Sequence, residues 1–181
     1  MQLKISELPL GGARLLEGFL HTDERGRFCK FFEHELCDEL KFETKEVLMS
    51  VSRKDVIRGM HFQKPLPQAK VVWCLNGRIY DVFVDLRKKS GTYKKWHGIE
   101  LSADNMRGVY IPRGFAHGFL ALEDNSQVLY LADERYNPTG DWGIVYNDPA
   151  IGIKWPLAGR QPVLSKKDAG LPVFSEKEHV F

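Results

Sequence analysis

Residues 56–85 read VIRGMHFQKPLPQAKVVWCLNGRIYDVFVD, and the fold turns on how this stretch is taken. Two β-branched and aromatic runs, VVWCL and RIYDVFVDL, flank Asn76-Gly77. That dipeptide favours a tight type I′ turn, whose two central residues both need positive φ. The pattern predicts a hairpin in which Trp73 opposes Tyr80 and Val72 opposes Asp81. Side chains alternate along a strand and opposed residues share a face. Lys70, Val72 and Cys74 then face the same way as Asp81 and Phe83. The same stretch holds Arg58, His61 and Lys70 within thirteen residues. Such a concentration fits an anion site, a metal site or plain surface.

Glycine and proline punctuate the flanking sequence every ten residues or so, and the segments between them are short, β-branched and aromatic. AHGFLALE (116–123) and SQVLYLADERY (126–136) flank Asp124-Asn125 and predict a second hairpin. It would pair Ala121 with Val128 and Phe119 with Tyr130, which puts His117 on the face of Tyr130, one diagonal step away. GVYIP is a strand stopped by Pro112, EHELCDELK (33–41) reads as one short helix, and SKKDAG (165–170) as a further turn. The sum is an all-β chain, a cupin-like jelly roll (a β-sandwich or barrel) with a few short helices, forming one domain over residues 1–181.

The bulk numbers narrow the function. The 181 residues are 43% hydrophobic and carry a formal net charge of +2. That balance suits a soluble globular protein and argues against a nucleic-acid binder, which needs a strong basic stripe. The opening MQLKISELPLGG has no apolar core of a secretion signal. No apolar run approaches the roughly 20 residues that span a bilayer, so no membrane partner is expected. Cys29, Cys37 and Cys74 form no C-x-x-C pair and read as free thiols in a reducing, cytoplasmic setting.

PRGFAH (112–117) has the P-x-G-x-x-H shape of a second cupin motif. The matching first motif of a metal cupin carries H-x-H and a following glutamate. Here it reads His61-Phe62-Gln63, with Lys70 farther on. Two histidines are a poor closed set for a transition metal, and a lysine ammonium repels a cation, so no metal is expected. Histidine, lysine and tyrosine around one pocket suit proton removal beside a ketone. Histidine titrates near neutrality and serves as base. Lysine stabilises the enolate oxygen, and tyrosine holds a proton to return. A carboxylate usually orients such a base.

At this point a family resemblance is plain. TDERGRF, VIRGMHFQ, QAK, NGRIYDVFVDLRKKSGTY, IPRGFAHGFLAL, NDPAIGIKWP and LSKKDA resemble, in order and spacing, the dTDP-4-dehydrorhamnose 3,5-epimerase family, from about residue 15 to 172. The resemblance implies a dimeric jelly roll that uses no metal or organic cofactor and epimerises a nucleotide diphosphate-linked 4-keto-6-deoxyhexose at carbon 3, carbon 5 or both. By motif it implies His61 as base, Asp168 as its orienting carboxylate, Lys70 near the ketone and Tyr130 as acid. It implies Arg25 and Arg58 at the diphosphate, His117 in the sugar pocket, and Tyr136 stacked on the base, with Asp141 and Lys167 nearby. The chain departs from the family where many members carry a glutamate, here Lys30, and where many carry Q-D-N, here Glu46-Val47-Leu48. An ammonium only donates. It would oppose the N3–H of thymine and suit the acceptors of cytosine, so the nucleotide is open among a thymidine-, a cytidine- and a purine-linked sugar.

Each residue has a plainer reading. Asp168 follows Ser165 by three residues, as in a helix capping box. Lys70 could blunt a sheet edge, Tyr130 could be a half-buried strand aromatic, Arg25 could decorate a turn, and Arg58 could pair with a carboxylate. Two rival functions follow, a metal-dependent cupin enzyme and a sugar-nucleotide binding module without turnover.

Overall fold

Two antiparallel sheets face each other across one apolar layer in the computed structural model, which describes residues 2–181. The strands are β1 (Lys4–Glu7), β2 (Arg14–Glu17), β3 (Phe19–Asp23), β4 (Gly26–Lys30), β5 (Glu46–Ser52), β6 (Ile57–Gln63), β7 (Lys70–Asn76), β8 (Arg78–Asp85), β9 (Trp96–Ser102), β10 (Arg107–Ile111), β11 (Phe115–Ala121), β12 (Ser126–Ala132) and β13 (Asp141–Gly143). Helix α1 spans His34–Leu40 and α2 spans Lys166–Ala169. One sheet runs β1-β2-β10-β7-β12-β5 and the other β13-β6-β11-β8-β9, while β3 and β4 form a separate hairpin. The all-β, cupin-like jelly roll with a few short helices stands as the sequence predicts.

The inner layer joins Val72, Cys74, Val109, Ile111 and Val128 of the first sheet to Ile79, Phe83, Leu101 and Phe119 of the second. Each sheet is covered on its outer face as well. Leu3, Leu36 of α1 and Phe42 pack on Val71, Trp73 and Leu131. Ile144, Ile151, Ile153, Phe174 and Phe181 pack over Met60, Phe62, Val82 and Val84. Strands buried on both faces read as unbroken apolar runs, which is why VVW and VFV show no alternation.

Both predicted hairpins are overturned. β7 pairs with β10 and β12, whereas β8 pairs with β9 and β11. Trp73 therefore opposes Gly108 and Leu129 rather than Tyr80, and Val72 opposes Val109 and Tyr130 rather than Asp81. Likewise β11 and β12 lie in different sheets, so Phe119 opposes Asp81 and Ala121 opposes Ile79. A type I′ turn needs two positive φ values. Gly77 (φ 71°) has one and Asn76 does not; Asn125 (φ 58°) has one and Asp124 does not. Each turn is a corner that carries the chain from one sheet to the other. The two corners are tied together: Asn76 Nδ2 donates to Asn125 O at 2.9 Å, and Ser126 Oγ donates to Arg78 O at 3.1 Å. The shared orientation inferred for Lys70 with Asp81, and for His117 with Tyr130, survives because the sheets face each other.

Candidate active site

The inner layer opens at one end into a cavity of about 400 Å³. Nine of the twelve residues singled out in the sequence line it: Arg58, His61, Lys70, His117, Tyr130, Tyr136, Asp141, Lys167 and Asp168. The register explains the gathering. His61 on β6 directly opposes His117 on β11. Tyr130 on β12 opposes Val72, two residues from Lys70 on β7. One sheet thus contributes two imidazoles and the other a phenol and an ammonium, across the cavity from them.

His61 Nε2 lies 2.8 Å from Asp168 Oδ1. Its Nδ1 has no hydrogen-bond partner and stands 3.8 Å from Asp141 Oδ1. Asp168 also makes the predicted cap: its backbone N–H donates to Ser165 Oγ at 3.0 Å and opens α2. The cap uses the backbone and the contact to His61 uses the carboxylate, so the two readings of Asp168 hold together. Burial pushes the Asp168 carboxyl up, but the His61 ring and Lys167 outweigh it and hold the group below the usual carboxylate range.

Tyr130 Oη lies 3.1 Å from Ser50 Oγ and its ring meets the His117 ring edge-on at 6.1 Å. Burial pushes the phenol well above its ordinary value, so it stays protonated. Burial lowers the Lys70 ammonium, opposed by the carboxylates of Asp141 and Asp81. His117 Nε2 sits 2.7 Å from Oδ2 of the fully buried Asp81. At the rim, Asp141 Oδ2 takes the Tyr136 hydroxyl at 2.7 Å and pairs with Lys167. Arg58 donates to Ser52 Oγ and Val51 O rather than to a carboxylate.

Three predicted residues lie away from the cavity lining of the single chain. Arg25 sits at the tip of the β3–β4 hairpin, bound to Asp23 at 2.5 Å and largely exposed. Lys30, at the end of β4, pairs with Glu33. Glu46 accepts the backbone N–H of Tyr136 at 3.0 Å and so braces the rim from outside. Two residues received no role from the sequence, Ser50 beside Tyr130 and Asp81 beneath His117. The one available signal was a charge inside the apolar run IYDVFV. Among the described residues no group of three or more His, Cys, Asp or Glu side chains is placed to hold a metal ion, and no helix is long and apolar enough to cross a membrane.

Comparison with known proteins identifies the family. The family model described as dTDP-4-dehydrorhamnose 3,5-epimerase matches residues 7–176. A dTDP-4-dehydrorhamnose 3,5-epimerase of Methanothermobacter thermautotrophicus is 44% identical over 92% of this chain and 92% of its own length. The enzyme of the same name from Salmonella typhimurium is 42% identical over 90% of each. A Legionella pneumophila dTDP-6-deoxy-D-glucose-3,5-epimerase, solved in complex with dTDP-4-keto-L-rhamnose, superposes with a TM-score of 0.90 at 36% identity, covering 95% of this chain and 93% of that one. This chain belongs to the dTDP-4-dehydrorhamnose 3,5-epimerase family.

Proposed function

We propose that the protein epimerises a dTDP-linked 4-keto-6-deoxyhexose beside its ketone, in deoxysugar biosynthesis. The observation that carries this reading is the His61–Asp168 pair, which faces Tyr130 and Lys70 across one cavity. His61 removes the proton, and the Asp168 carboxylate beside its ring orients it and stabilises the imidazolium. Lys70 faces the oxygen on which negative charge develops. Tyr130, from the opposite sheet, returns a proton to the other side of the same carbon, and inversion follows. Arg58 meets the diphosphate through forked hydrogen bonds, and Tyr136 stacks on the nucleobase. The relatives' names support thymidine. The pairing of Lys30 with Glu33 weakens the case for a cytidine-linked sugar, since the ammonium already has an anionic partner. Calorimetry with dTDP and CDP tests the choice: dTDP binds at least tenfold tighter if the reading is right.

The active unit we propose is a homodimer. β5 is the outermost strand of its sheet, and its Val47, Leu48, Met49 and Val51 are exposed, as are Phe28 and Phe32 at and beyond β4. Leu48 and Met49 also line the cavity, so a second copy covering β5 would reach the mouth of the site. The hairpin bearing Arg25 could then serve the partner's cavity. The free thiols of Cys29, Cys37 and Cys74 suit a cytoplasmic enzyme.

Incubation with a dTDP-linked 4-keto-6-deoxyhexose in deuterium oxide tests the chemistry. The protein incorporates deuterium at the carbons it inverts. His61→Ala lowers that exchange by roughly 10²- to 10⁴-fold and leaves dTDP affinity within a few-fold. Near-normal exchange in His61→Ala would exclude this mechanism.

A further inference from the structure

We propose that Asp81 is a positioning residue of this reaction, the buried anion that fixes the His117 ring in the wall of the cavity that Lys70 also lines. The inference rests on the epimerase reading. Asp81 lies mid-strand on β8 and is 0% exposed. Oδ2 holds His117 Nε2 at 2.7 Å, and Oδ1 has no hydrogen-bond partner. A buried carboxylate oxygen left without a donor is costly. If Asp81 served only to hold a histidine in the core, a neutral amide would do so at a lower desolvation cost.

The surroundings show what the negative charge does. The groups that feel its charge are His117 on β11, Lys70 and Cys74 on β7, and Tyr130 on β12. Burial lowers the Lys70 ammonium, and the Asp81 carboxylate opposes that shift, together with Asp141. The same carboxylate adds to the burial that holds the Tyr130 proton in place. A single anion under the floor therefore biases both groups toward the protonated forms that the reaction needs. His117, held through Nε2, lines the same cavity as Lys70. Asp141 sits at the rim and is engaged by Tyr136 and Lys167, so it is the weaker candidate for this work.

Asp81→Asn tests the proposal because it keeps shape and hydrogen bonding and removes charge. We expect kcat to fall about 10²-fold, the scale of losing one donor to a developing oxyanion, with KM within about threefold. The alkaline limb of the kcat profile moves to lower pH, since Lys70 loses its proton more readily without the anion. Lys70→Gln/Asp81→Asn loses less than the product of the two single losses, because part of what Asp81 does acts through Lys70. Wild-type kcat with an unmoved alkaline limb in Asp81→Asn overturns the proposal, as does a rate loss that additive double-variant costs reproduce. If the Asn variant does not fold, the wild-type protein still decides. The lysine side-chain NMR signal assigned by Lys70→Arg reports an ammonium at pH 7.5 if Asp81 acts as stated, and a neutral amine overturns it. Failure of the wild-type protein to exchange deuterium would instead remove the epimerase reading itself.

Discussion

Asp168 illustrates how one side chain can meet a structural and a chemical demand at once. Its backbone N–H satisfies Ser165 Oγ, while its carboxylate reaches His61. The two can be separated. Asp168→Asn retains the cap and should lower exchange about 10- to 100-fold, as expected for loss of the partner that orients a reactive histidine, with the melting temperature nearly unchanged. Ser165→Ala should do the reverse, costing about 1 kcal/mol of stability with exchange largely kept. Tyr130→Phe separates acid from base. The proton still leaves toward His61, so deuterium washes in with configuration retained while net inversion drops. Equal loss of wash-in and inversion would show that Tyr130 does more than reprotonate. The residues with reactive side chains in recognisable spacing were legible from the sequence. Asp81 could be placed on the right face but given no role, because a lone carboxylate in an apolar strand announces burial and not its partner. Ser50 carried no signal, since its neighbour Tyr130 is 80 positions away.

Strand content, the strand ended by Pro112 and the helix of residues 34–40 were legible because each depends on local chemistry. Pairing was not. Asn76-Gly77 and Asp124-Asn125 are turn-forming dipeptides, and turns did form, yet each turns a corner between sheets. Tertiary layering decides that choice, since strands buried on both faces carry no alternation to fix which neighbour they join. The β6–β11 pair shows a constraint that no local pattern reports. A Cβ at Gly59 would stand 2.7 Å from Gly118 Cα and 2.7 Å from His117 O, at a φ of +112°. The pairing shifts register across this point, between His117↔His61 and Phe119↔Arg58. Gly59→Ala should therefore strain the backbone by about 1–3 kcal/mol and push apart the two strands that carry His61 and His117. Calorimetric melting should fall by roughly 2–4 °C per kcal/mol for a chain of this length, and exchange should fall further than stability alone explains. Unchanged melting and exchange would mean that the strands relax freely at this point.

At the scale of the whole molecule, the C-terminal segment seals the outer face of the sheet that carries His61. Phe174 and Phe181 pack over Phe62 and Ile144. Lys64 Nζ donates to the carbonyls of Glu178 and Val180 at 3.0 and 2.9 Å. His179, fully buried, lies against the rings of Phe62, Trp142 and Phe174. Its Nδ1 accepts the Ser175 N–H at 2.8 Å, and its Nε2 has no partner. A second proton would destroy the one hydrogen bond and leave a cation among aromatic rings. Burial accordingly holds this imidazole below its ordinary value of about 6.5. The unfolded chain binds the proton first as pH falls through about 6.5, so the stabilisation is complete above that value and declines below it until the folded pKa is reached. His97, likewise lowered by burial, adds a slope of the same sign. The carboxylates of Asp85, Asp141 and Asp168 lie below their usual range, and their contribution is lost only at more acid pH, below about 4. Urea unfolding between pH 5 and 8 should show stability falling from pH 7 to pH 5. His179→Phe should be less stable at pH 8 for want of the Ser175 hydrogen bond, yet show a shallower decline toward pH 5. A variant slope as steep as the wild type's would assign the acid sensitivity to other groups and leave His179 a packing residue only.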